Sequence, residues 1–465
     1  MMEDLPDKLT QLNYYIDNCP SSIKGNADII FSLRQELNRL GISREANITI
    51  SYRIKSRVQK EANEALDRAN GFGAWLMATR TGKSKAAVDK IVKVASNWRE
   101  PHTKFIIAVP TERLRDNNWD MEFKKWGFMN YNDFVELTCY ASLNKYRGGR
   151  YHVILDEAHN ITELNSEFFE QNEILSCIAM TATRPNTKEK IEIFRRLKIF
   201  PVYEITADEA IRLGIMSNYE IIIVTVPLDE TDKYVKSGNA VKGYFYTTEV
   251  EKYKFLSKGL FFSKNPMALI NRMKFLSNLK SKTNATKAIL EYVIPKDLRT
   301  LIFCGTKDQA DILCPNRYYS QPTKPKKLSA KPTKLATEKF IEDTMKYNTR
   351  IRDYVGDKDL ACFIDNTINR LSCVNALNEG ITIEAKVDCA LMAQIDSNPN
   401  NLAQRMGRTL MFNPDHTSKI IIVVSENTID ETWANKAAKN LDQSKIRKIR
   451  LEDLRTKKEQ ILFNN

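Results

Sequence analysis

Short apolar segments occur in two series along the 465-residue chain, and this pattern constrains its fold more than any other feature. Each segment has the composition of a buried parallel strand, because strands covered on both faces lose the polar alternation of half-exposed ones. Longer helical or polar stretches separate the segments, such as the helix predicted over residues 85–98. The predicted strands are residues 72–76, 105–110, 152–156 and 177–181 in the first series, and 221–226, 300–304, 388–393 and 419–424 in the second.

The repeated strand-and-helix unit predicts an α/β protein with two domains, since a chain of 465 residues is too long for one ordinary core. Residues 321–334, rich in lysine and proline, predict an exposed loop that is either a solvated spacer or a nucleic-acid contact. We predict an N-terminal helical extension over residues 1–48, a first domain over 49–215, a second domain over 216–430 and a basic, helical C-terminal tail over 431–465 that contains KIRKIR.

The chain is basic, with 71 Lys and Arg against 58 Asp and Glu and a formal net charge of +13. This excess suits a polyanionic partner, because each neutralised phosphate releases counterions. We expect nucleic acid and no membrane, since no stretch approaches the roughly 20 apolar residues of a membrane span. The N-terminus has no signal-like segment, which predicts a cytoplasmic protein. Eight cysteines without a C-x-x-C pair and four histidines predict neither disulfides nor a zinc site.

The sequence MATRTGKS, residues 77–84, lies between a predicted strand and a predicted helix. In that setting G-K-S predicts a phosphate-binding loop, in which backbone N–H groups and the helix N-terminus surround the phosphates of ATP. Lys83 would reach the β and γ phosphates, and Ser84 would hold Mg²⁺. Arg80 stands where glycine is common, and we expect its side chain to point to solvent. The predicted ATP-binding loop comprises Thr79, Arg80, Thr81, Gly82, Lys83 and Ser84.

A second motif, HVILDEAH, spans residues 152–159. It puts Asp156 and Glu157 at the carboxyl end of a buried strand, where open α/β sheets bind ligands. Asp156 would hold Mg²⁺ through water, and Glu157 would polarise the water that attacks the γ phosphate. An ordinary acidic turn is the alternative, but two independent motifs in one chain favour the catalytic interpretation.

The D-E-A-H sequence, with G-K-S before it and the triplet TAT (181–183) after it, resembles the superfamily 2 helicases and translocases over roughly residues 50–430. The resemblance implies two tandem RecA-like domains, each a parallel sheet flanked by helices, with ATP in the cleft between them. It also implies that His159, Thr181 and Thr183 couple the ATP state to strand movement. Residues 110–119 resemble the family segment in which Pro110, Thr111 and Arg113 would face the nucleic-acid backbone.

Gln59 is similar to the glutamine that recognises adenine in many members of this family, although an exposed helical glutamine is the alternative. In the second half, residues 300–313, 375–381 and 404–410 resemble the later motifs of the family. These motifs imply that Gly380 lets the backbone approach the nucleotide or the nucleic-acid strand. They also imply that Gln404 and Arg408 project across the cleft onto the γ phosphate, with Arg408 as the arginine finger.

Two positions near this finger leave its chemistry open. Arg405 would contact ATP or would instead make a structural ion pair. Many relatives carry a second arginine where this chain has Met411, so we expect a single finger. Arg80 could compensate from the opposite wall of the cleft, although a solvent-exposed arginine is the expected outcome.

The link over residues 205–228 resembles the hinge of phage recombination helicases and restriction-type translocases. The resemblance implies ATP-driven movement along nucleic acid, held through phosphates with little base readout. We expect a DNA substrate, with branch migration, duplex remodelling or unwinding, and recombination or replication proteins as partners in a host cytoplasm. The alternatives are an RNA helicase, a nucleic-acid-binding scaffold with a decayed ATPase, and the motor subunit of a restriction system.

Overall fold

The structure of the chain is a computed structural model. None of the helices that it describes is long and apolar enough to cross a membrane. The predicted loop over residues 321–334 lies almost entirely outside the described residues. The structure describes residues 4–21, 25–96, 103–112, 114–185, 187–239, 243–262, 266–320, 324–325, 334–374, 386–413 and 416–456.

The first half of the chain forms a six-stranded parallel sheet in the order β3-β2-β4-β5-β1-β6. Alternate residues of its central strands enter two different hydrophobic clusters, so both faces of the sheet are buried. The strands are β1 (Phe72–Met77), β2 (Thr103–Val109), β3 (Val135–Cys139), β4 (Arg150–Leu155), β5 (Glu173–Thr181) and β6 (Pro201–Ile205).

Eight helices accompany this sheet in the described residues. The longest, α3, runs through the boundary that we placed between residues 48 and 49. The helices are α1 (Asp4–Asn18), α2 (Asn26–Arg39), α3 (Arg44–Arg68), α4 (Lys83–Ala95), α5 (Trp119–Lys125), α6 (Ser166–Gln171), α7 (Lys188–Arg196) and α8 (Ala207–Arg212).

The second half forms a seven-stranded parallel sheet in the order β11-β12-β10-β13-β14-β7-β15, and a separate antiparallel hairpin of β8 and β9. The longest pairing in this sheet joins β7 and β14, which are parallel neighbours over nine residues. The strands of the second half are β7 (Asn218–Val226), β8 (Val235–Asn239), β9 (Gly243–Thr247), β10 (Thr300–Phe303), β11 (Arg317–Tyr318), β12 (Arg370–Cys373), β13 (Cys389–Met392), β14 (Thr417–Ser425) and β15 (Ile446–Arg450).

Nine further helices are described in the second half. Three of them, α9, α10 and α11, follow the hairpin and precede the next strand of the sheet. The helices are α9 (Glu249–Phe262), α10 (Pro266–Ser277), α11 (Lys280–Tyr292), α12 (Lys307–Leu313), α13 (Lys334–Asp353), α14 (Gly356–Ile364), α15 (Pro399–Gly407), α16 (Ile429–Ala437) and α17 (Leu451–Thr456).

The structure confirms the α/β fold, with two parallel sheets flanked by helices as in tandem RecA-like domains. All eight apolar segments predicted as strands form strands of these two sheets. The predicted helix over KIRKIR is wrong, because Ile446–Arg450 form strand β15, which pairs in parallel with β7. Ile446 and Ile449 are three residues apart, so they point to opposite faces of this strand, and each packs against a different hydrophobic cluster. Their burial is intermediate, whereas Arg447 and Lys448 are exposed, as suits the edge of a sheet. The second sheet therefore extends into the part of the chain that we assigned to a tail.

Candidate active site

The loop after β1 has the geometry of a phosphate-binding loop. Strand β1 ends at Met77 and helix α4 begins at Lys83, so the N–H groups of the first helical turn face the loop without intrahelical acceptors. Gly82 has φ 93°, a left-handed conformation that favours glycine. A Cβ atom at Gly82 would also lie 2.1 Å from the Nε2 atom of Gln59. The left-handed conformation therefore favours glycine at this position, while the end of the flexible Gln59 side chain could move aside for a Cβ atom.

Lys83 lies inside this loop. Its Nζ donates to the carbonyl oxygens of Met77, at 2.8 Å, and Ala78, at 3.4 Å. Burial lowers the pKa of Lys83, and the nearby negative charges of Glu157 and Asp156 act in the opposite direction. Ser84 follows as the second residue of α4, and the buried hydroxyl of Thr81 donates to the Ala78 carbonyl at 2.7 Å. The loop thus brings its ammonium close to the two acids of the second motif.

Gln59 supports the loop from helix α3. Its side chain is 8% exposed, and Nε2 donates to the carbonyl oxygen of Thr81 at 3.3 Å. The alternative of an exposed helical glutamine is therefore wrong, while a contact with adenine stays a prediction. The structure assigns Gln59 a contact with the backbone of the phosphate-binding loop.

Asp156 and Glu157 follow the end of β4, a central strand of the first sheet. The Oδ2 atom of Asp156 accepts a hydrogen bond from the indole N–H of Trp119 at 3.1 Å. Burial, followed by the charge of Glu157, raises the pKa of Asp156 to about 7. Such raised pKa values of buried carboxyl groups are typical of functional sites.

Glu157 has an uncommon backbone and an unusual side-chain environment. Its φ of 47° is left-handed, which is rare for a non-glycine residue and often found at functional sites. Its Oε2 atom is buried and accepts no hydrogen bond from the described residues. The Nδ1 atom of His159 lies 3.4 Å from this oxygen, and burial lowers the pKa of this histidine. The carboxylate is therefore held with one oxygen that lacks a donor.

The third motif lies beside these acids at the end of β5. The Nδ1 atom of His159 lies 3.3 Å from the Oγ1 atom of Thr181. The same hydroxyl donates to the carbonyl oxygen of Thr183 at 3.2 Å, and the Thr183 N–H lies 3.3 Å from it. Glu157, His159, Thr181 and Thr183 therefore form one connected polar chain.

In the second domain, Gln404, Arg405 and Arg408 lie at the end of α15. Gln404 is 5% exposed, and its Oε1 atom accepts no hydrogen bond within the described part of the chain. Burial raises the pKa of the Cys373 thiol in the same domain, and the positive charges of Arg405 and Arg408 act in the opposite direction. Met411 is exposed, and its carbonyl oxygen accepts a hydrogen bond from the hydroxyl of Ser217.

A buried polar network fixes α15. The guanidinium of Arg405 donates to the carbonyl oxygen of Gln394 at 2.6 Å, and the side chain of Gln394 accepts from Lys282 Nζ at 3.2 Å. Lys282 also pairs with Asp430 at 2.6 Å, with both side chains fully buried. Arg405 is thus held inside the second domain by a backbone carbonyl, while its predicted contact with ATP stays a prediction.

The two domains touch between the phosphate-binding loop and the end of α15. The Nε atom of Arg80 donates to the carbonyl oxygen of Gly407 at 3.0 Å. The expectation that Arg80 points to solvent is therefore wrong, because the guanidinium finds an acceptor on the facing domain. A Cβ atom at Gly407 would lie 2.2 Å from the Oγ1 atom of Thr79. The residue before Arg408 thus packs directly on the loop that contains Lys83.

Pro110 and Thr111 follow the carboxyl end of β2, and Thr111 is exposed. The hydroxyl of Thr111 accepts a hydrogen bond from the N–H of Leu114 at 3.4 Å, at the start of a π-helical turn. Arg113 and Gly380, which we predicted to contact nucleic acid and the nucleotide or strand, lie outside the described residues.

Sequence patterns missed two aromatic residues that surround Asp156. Trp119 is 2% exposed, and its indole N–H donates to the carboxylate of Asp156. The hydroxyl of Tyr140 donates to the carbonyl oxygen of Asp156 at 3.0 Å. Tyr140 belongs to no recognised motif, Trp119 only ends the segment over residues 110–119, and the fold brings both to the acid.

The residues fit a nucleotide triphosphate with Mg²⁺. The first domain offers an ammonium and helix N–H groups for phosphates, and a carboxylate on Asp156 and a hydroxyl on Ser84 for a metal ion. Among the buried oxygens that lack donors in the described residues, Oε2 of Glu157 lies in the first domain and Oε1 of Gln404 lies in the second. Each could accept a hydrogen bond from a water molecule at the phosphates.

Comparisons with known proteins give one sequence match and several structural matches. Residues 282–413 match the family described as the helicase conserved C-terminal domain. No curated protein sequence matches the chain. The fold resembles a structure of the ATP-dependent Type ISP restriction-modification enzyme LlaBIII bound to DNA, with a TM-score of 0.51, 13% identity and coverage of 84% of this chain. This chain spans only 31% of that enzyme.

The fold also resembles S. cerevisiae Dbp5 bound to RNA and ADP BeF3, with a TM-score of 0.50 and 12% identity. The aligned region covers 91% of this chain and 97% of Dbp5. A variant of Dbp5 with one leucine replaced by valine gives a TM-score of 0.51, with coverage of 90% and 96%. At such identities these structures establish the fold alone. The match of residues 282–413 to the helicase C-terminal domain supports a nucleic-acid helicase or translocase.

Proposed function

We propose that this chain is an ATP-hydrolysing nucleic-acid motor that acts on DNA. The observation that supports this most directly is the contact between the domains, where Arg80 and Thr79 of the phosphate-binding loop meet Gly407. This contact puts the start of the predicted ATP site beside Arg408. One nucleotide could then be contacted from both domains, and its hydrolysis would change how they are held together.

In the proposed reaction, Lys83 and the N-terminus of α4 hold the phosphates. Ser84 and Asp156 would hold Mg²⁺, which supplies positive charge that neutralises the phosphate oxygens. Glu157 orients the attacking water and accepts its proton at the carboxylate, with Gln404 as a second acceptor for that water. Arg408 stabilises the negative charge that develops at the γ phosphate.

The link from the ATP site to nucleic acid runs through the polar chain of His159, Thr181 and Thr183. When the contacts of Glu157 with the nucleotide change, the contact between Glu157 and His159 would change as well, and His159 in turn contacts Thr181. Pro110, Thr111 and Arg113, after the neighbouring strand β2, would contact the nucleic-acid backbone. Alternate closing and opening of the domains would then move the chain along one strand.

The preference for DNA and the proposed role in recombination, repair or replication are based on the resemblance of the hinge-like sequence over residues 205–228 and of the D-E-A-H sequence to phage recombination helicases. RNA is the second candidate, because Dbp5, bound to RNA, aligns over nearly its whole length. ATP turnover should be measured with single-stranded, duplex and branched DNA and with RNA, at two salt concentrations, since phosphate contacts weaken steeply with salt. We expect DNA to stimulate turnover. Stimulation by RNA alone would refute the DNA assignment, and no stimulation by any of them would refute the motor.

Replacing Gly407 with alanine tests the contact between the domains. The added methyl group would lie 2.2 Å from Thr79 Oγ1, and forcing such a contact costs about 1–3 kcal/mol. We expect stimulated ATP turnover to fall about tenfold, while α15 is stabilised because alanine favours helix. The comparison is Gly407→Ala made in a Thr79→Gly background, where the methyl group has room. If the alanine lowers turnover equally in both backgrounds, the steric explanation fails.

A further inference from the structure

The second domain contains a basic and aromatic module between β7 and α11 that no motif explains. It consists of the β8–β9 hairpin followed by α9 and α10. In the described residues, the two hairpin strands pair with each other and with neither large sheet. The module leaves the sheet at the carboxyl end of β7, the edge at which open α/β sheets bind ligands.

The hairpin is firmly attached to the domain through Glu249. This carboxylate is fully buried and accepts hydrogen bonds from the N–H of Asp229 at 2.9 Å and the N–H of Ser281 at 3.1 Å. It also accepts one from the hydroxyl of Tyr234, just before β8. The hydroxyl of Tyr253 on α9 accepts from the N–H of Ile429 at the start of α16, at 2.8 Å. The module therefore projects from the domain with a fixed base.

The two faces of the hairpin differ. On one face Ser237 is buried and accepts a hydrogen bond from Lys252 of α9 at 2.9 Å. The other face carries Lys236, Tyr244 and Tyr246, since Lys236 pairs with Tyr246 and side chains two apart share a face. Tyr244 is 43% exposed and Tyr246 is 62% exposed. Lys236 Nζ lies 4.4 Å from the centroid of the Tyr244 ring, so charge and ring occupy the same face.

The surroundings of this face are basic. Residues 233–279 contain nine Lys and Arg and two acidic residues, with three more acidic residues at positions 229, 230 and 232. One of the two acids is Glu249, which is buried in the base of the module. Phe245, between the two tyrosines, pairs with Ser237 and so lies on the opposite face, where it is also exposed.

We propose that Tyr244 and Tyr246 stack on unpaired bases of single-stranded DNA, with Lys236 beside the backbone phosphates. Aromatic side chains within a positive groove are the usual platform for single strands, because every base has a face that can stack. A protein partner fits less well, since lysine is depleted from the core of protein interfaces. The inference depends on the proposed function, because it assigns a DNA contact to that motor.

The test is binding of the full chain to a labelled oligo-dT strand and to an abasic strand of equal length and charge. We expect the wild type to bind oligo-dT about tenfold more tightly than the abasic strand, since base stacking is lost on the latter. The Tyr244→Ala/Tyr246→Ala variant should lose that difference and bind the abasic strand as the wild type does. The control is Tyr14→Ala/Tyr52→Ala, which removes two tyrosines of α1 and α3 that are 60% and 65% exposed.

Each outcome decides the proposal. If the hairpin variant and the control both keep the preference for oligo-dT, the stacking role is wrong. If the hairpin variant loses both ligands equally, the tyrosines support folding or charge rather than stacking. If it keeps the preference but changes the mass of the chain in light scattering, the face is a protein contact. A wild type that binds neither strand contradicts the proposed motor itself, whereas unchanged ATP turnover of the variant without DNA shows that the ATP site is intact.

Discussion

Replacing Glu157 with glutamine is expected to lower nucleic-acid-stimulated ATP turnover by about 10²–10⁴-fold. The carboxylate lies at the carboxyl end of a central strand, in a left-handed backbone conformation, with Oε2 buried and lacking a donor among the described residues. Glutamine keeps the size and the neighbouring contacts of this side chain but cannot accept the proton of the attacking water. Binding of ATP should remain, because Lys83 and the loop are unchanged.

The measurement is steady-state ATP turnover with saturating nucleic acid, beside equilibrium binding of a fluorescent ATP analogue. A matched control is Glu163→Gln, six residues away, where the carboxylate pairs with Arg196 at the surface. Exposed pairs contribute little, so this control should behave as the wild type. If Glu157→Gln turns over ATP at the wild-type rate, Glu157 is not the general base and the proposed reaction must be abandoned.

The central strands other than β12 were predictable because their signal is local. Segments such as residues 221–224 and 420–424 are continuous apolar runs, and they become neighbours buried on both faces in the second sheet. The edge strands β3, β6, β11 and β15 lack such runs, since an edge has less to bury. KIRKIR illustrates this limit, because two isoleucines among four basic residues also suit a solvated helix.

The acidic and lysine motifs were predictable for a similar reason, since each follows a recognisable strand. What surrounds them depends on contacts between distant parts of the chain. The acceptor of Arg80 is 327 residues away, and Trp119 reaches Asp156 across 37 residues. The hydrophobic periodicity of the sequence does not predict such pairs, because it reports only local structure. The solvent prediction for Arg80 used the usual exposure of arginine, which failed because a second domain faces this loop.

Replacing Arg408 with alanine should produce the other large effect, a loss of about 10³–10⁵ in stimulated ATP turnover, as for arginine fingers. Arg408 follows Gly407, whose backbone contacts Arg80 and whose Cα packs on Thr79. Its guanidinium charge would be felt at the γ phosphate only when both domains surround the nucleotide. With Met411 exposed three residues on, the structure offers no arginine at that position to replace it.

The central claim, that two domains complete one ATP site, is tested most directly by turnover of Arg408→Ala measured together with its affinity for ATP. The control is Arg195→Ala, whose guanidinium is exposed and pairs with Glu192 on the first domain. We expect Arg408→Ala to bind ATP within about threefold of the wild type, because a contact made only in the transition state leaves ground-state binding nearly unchanged. Its turnover should nevertheless fall by about 10³ or more. Turnover close to that of the wild type would show that the first domain hydrolyses ATP without the second, which would contradict an ATP site completed by both domains.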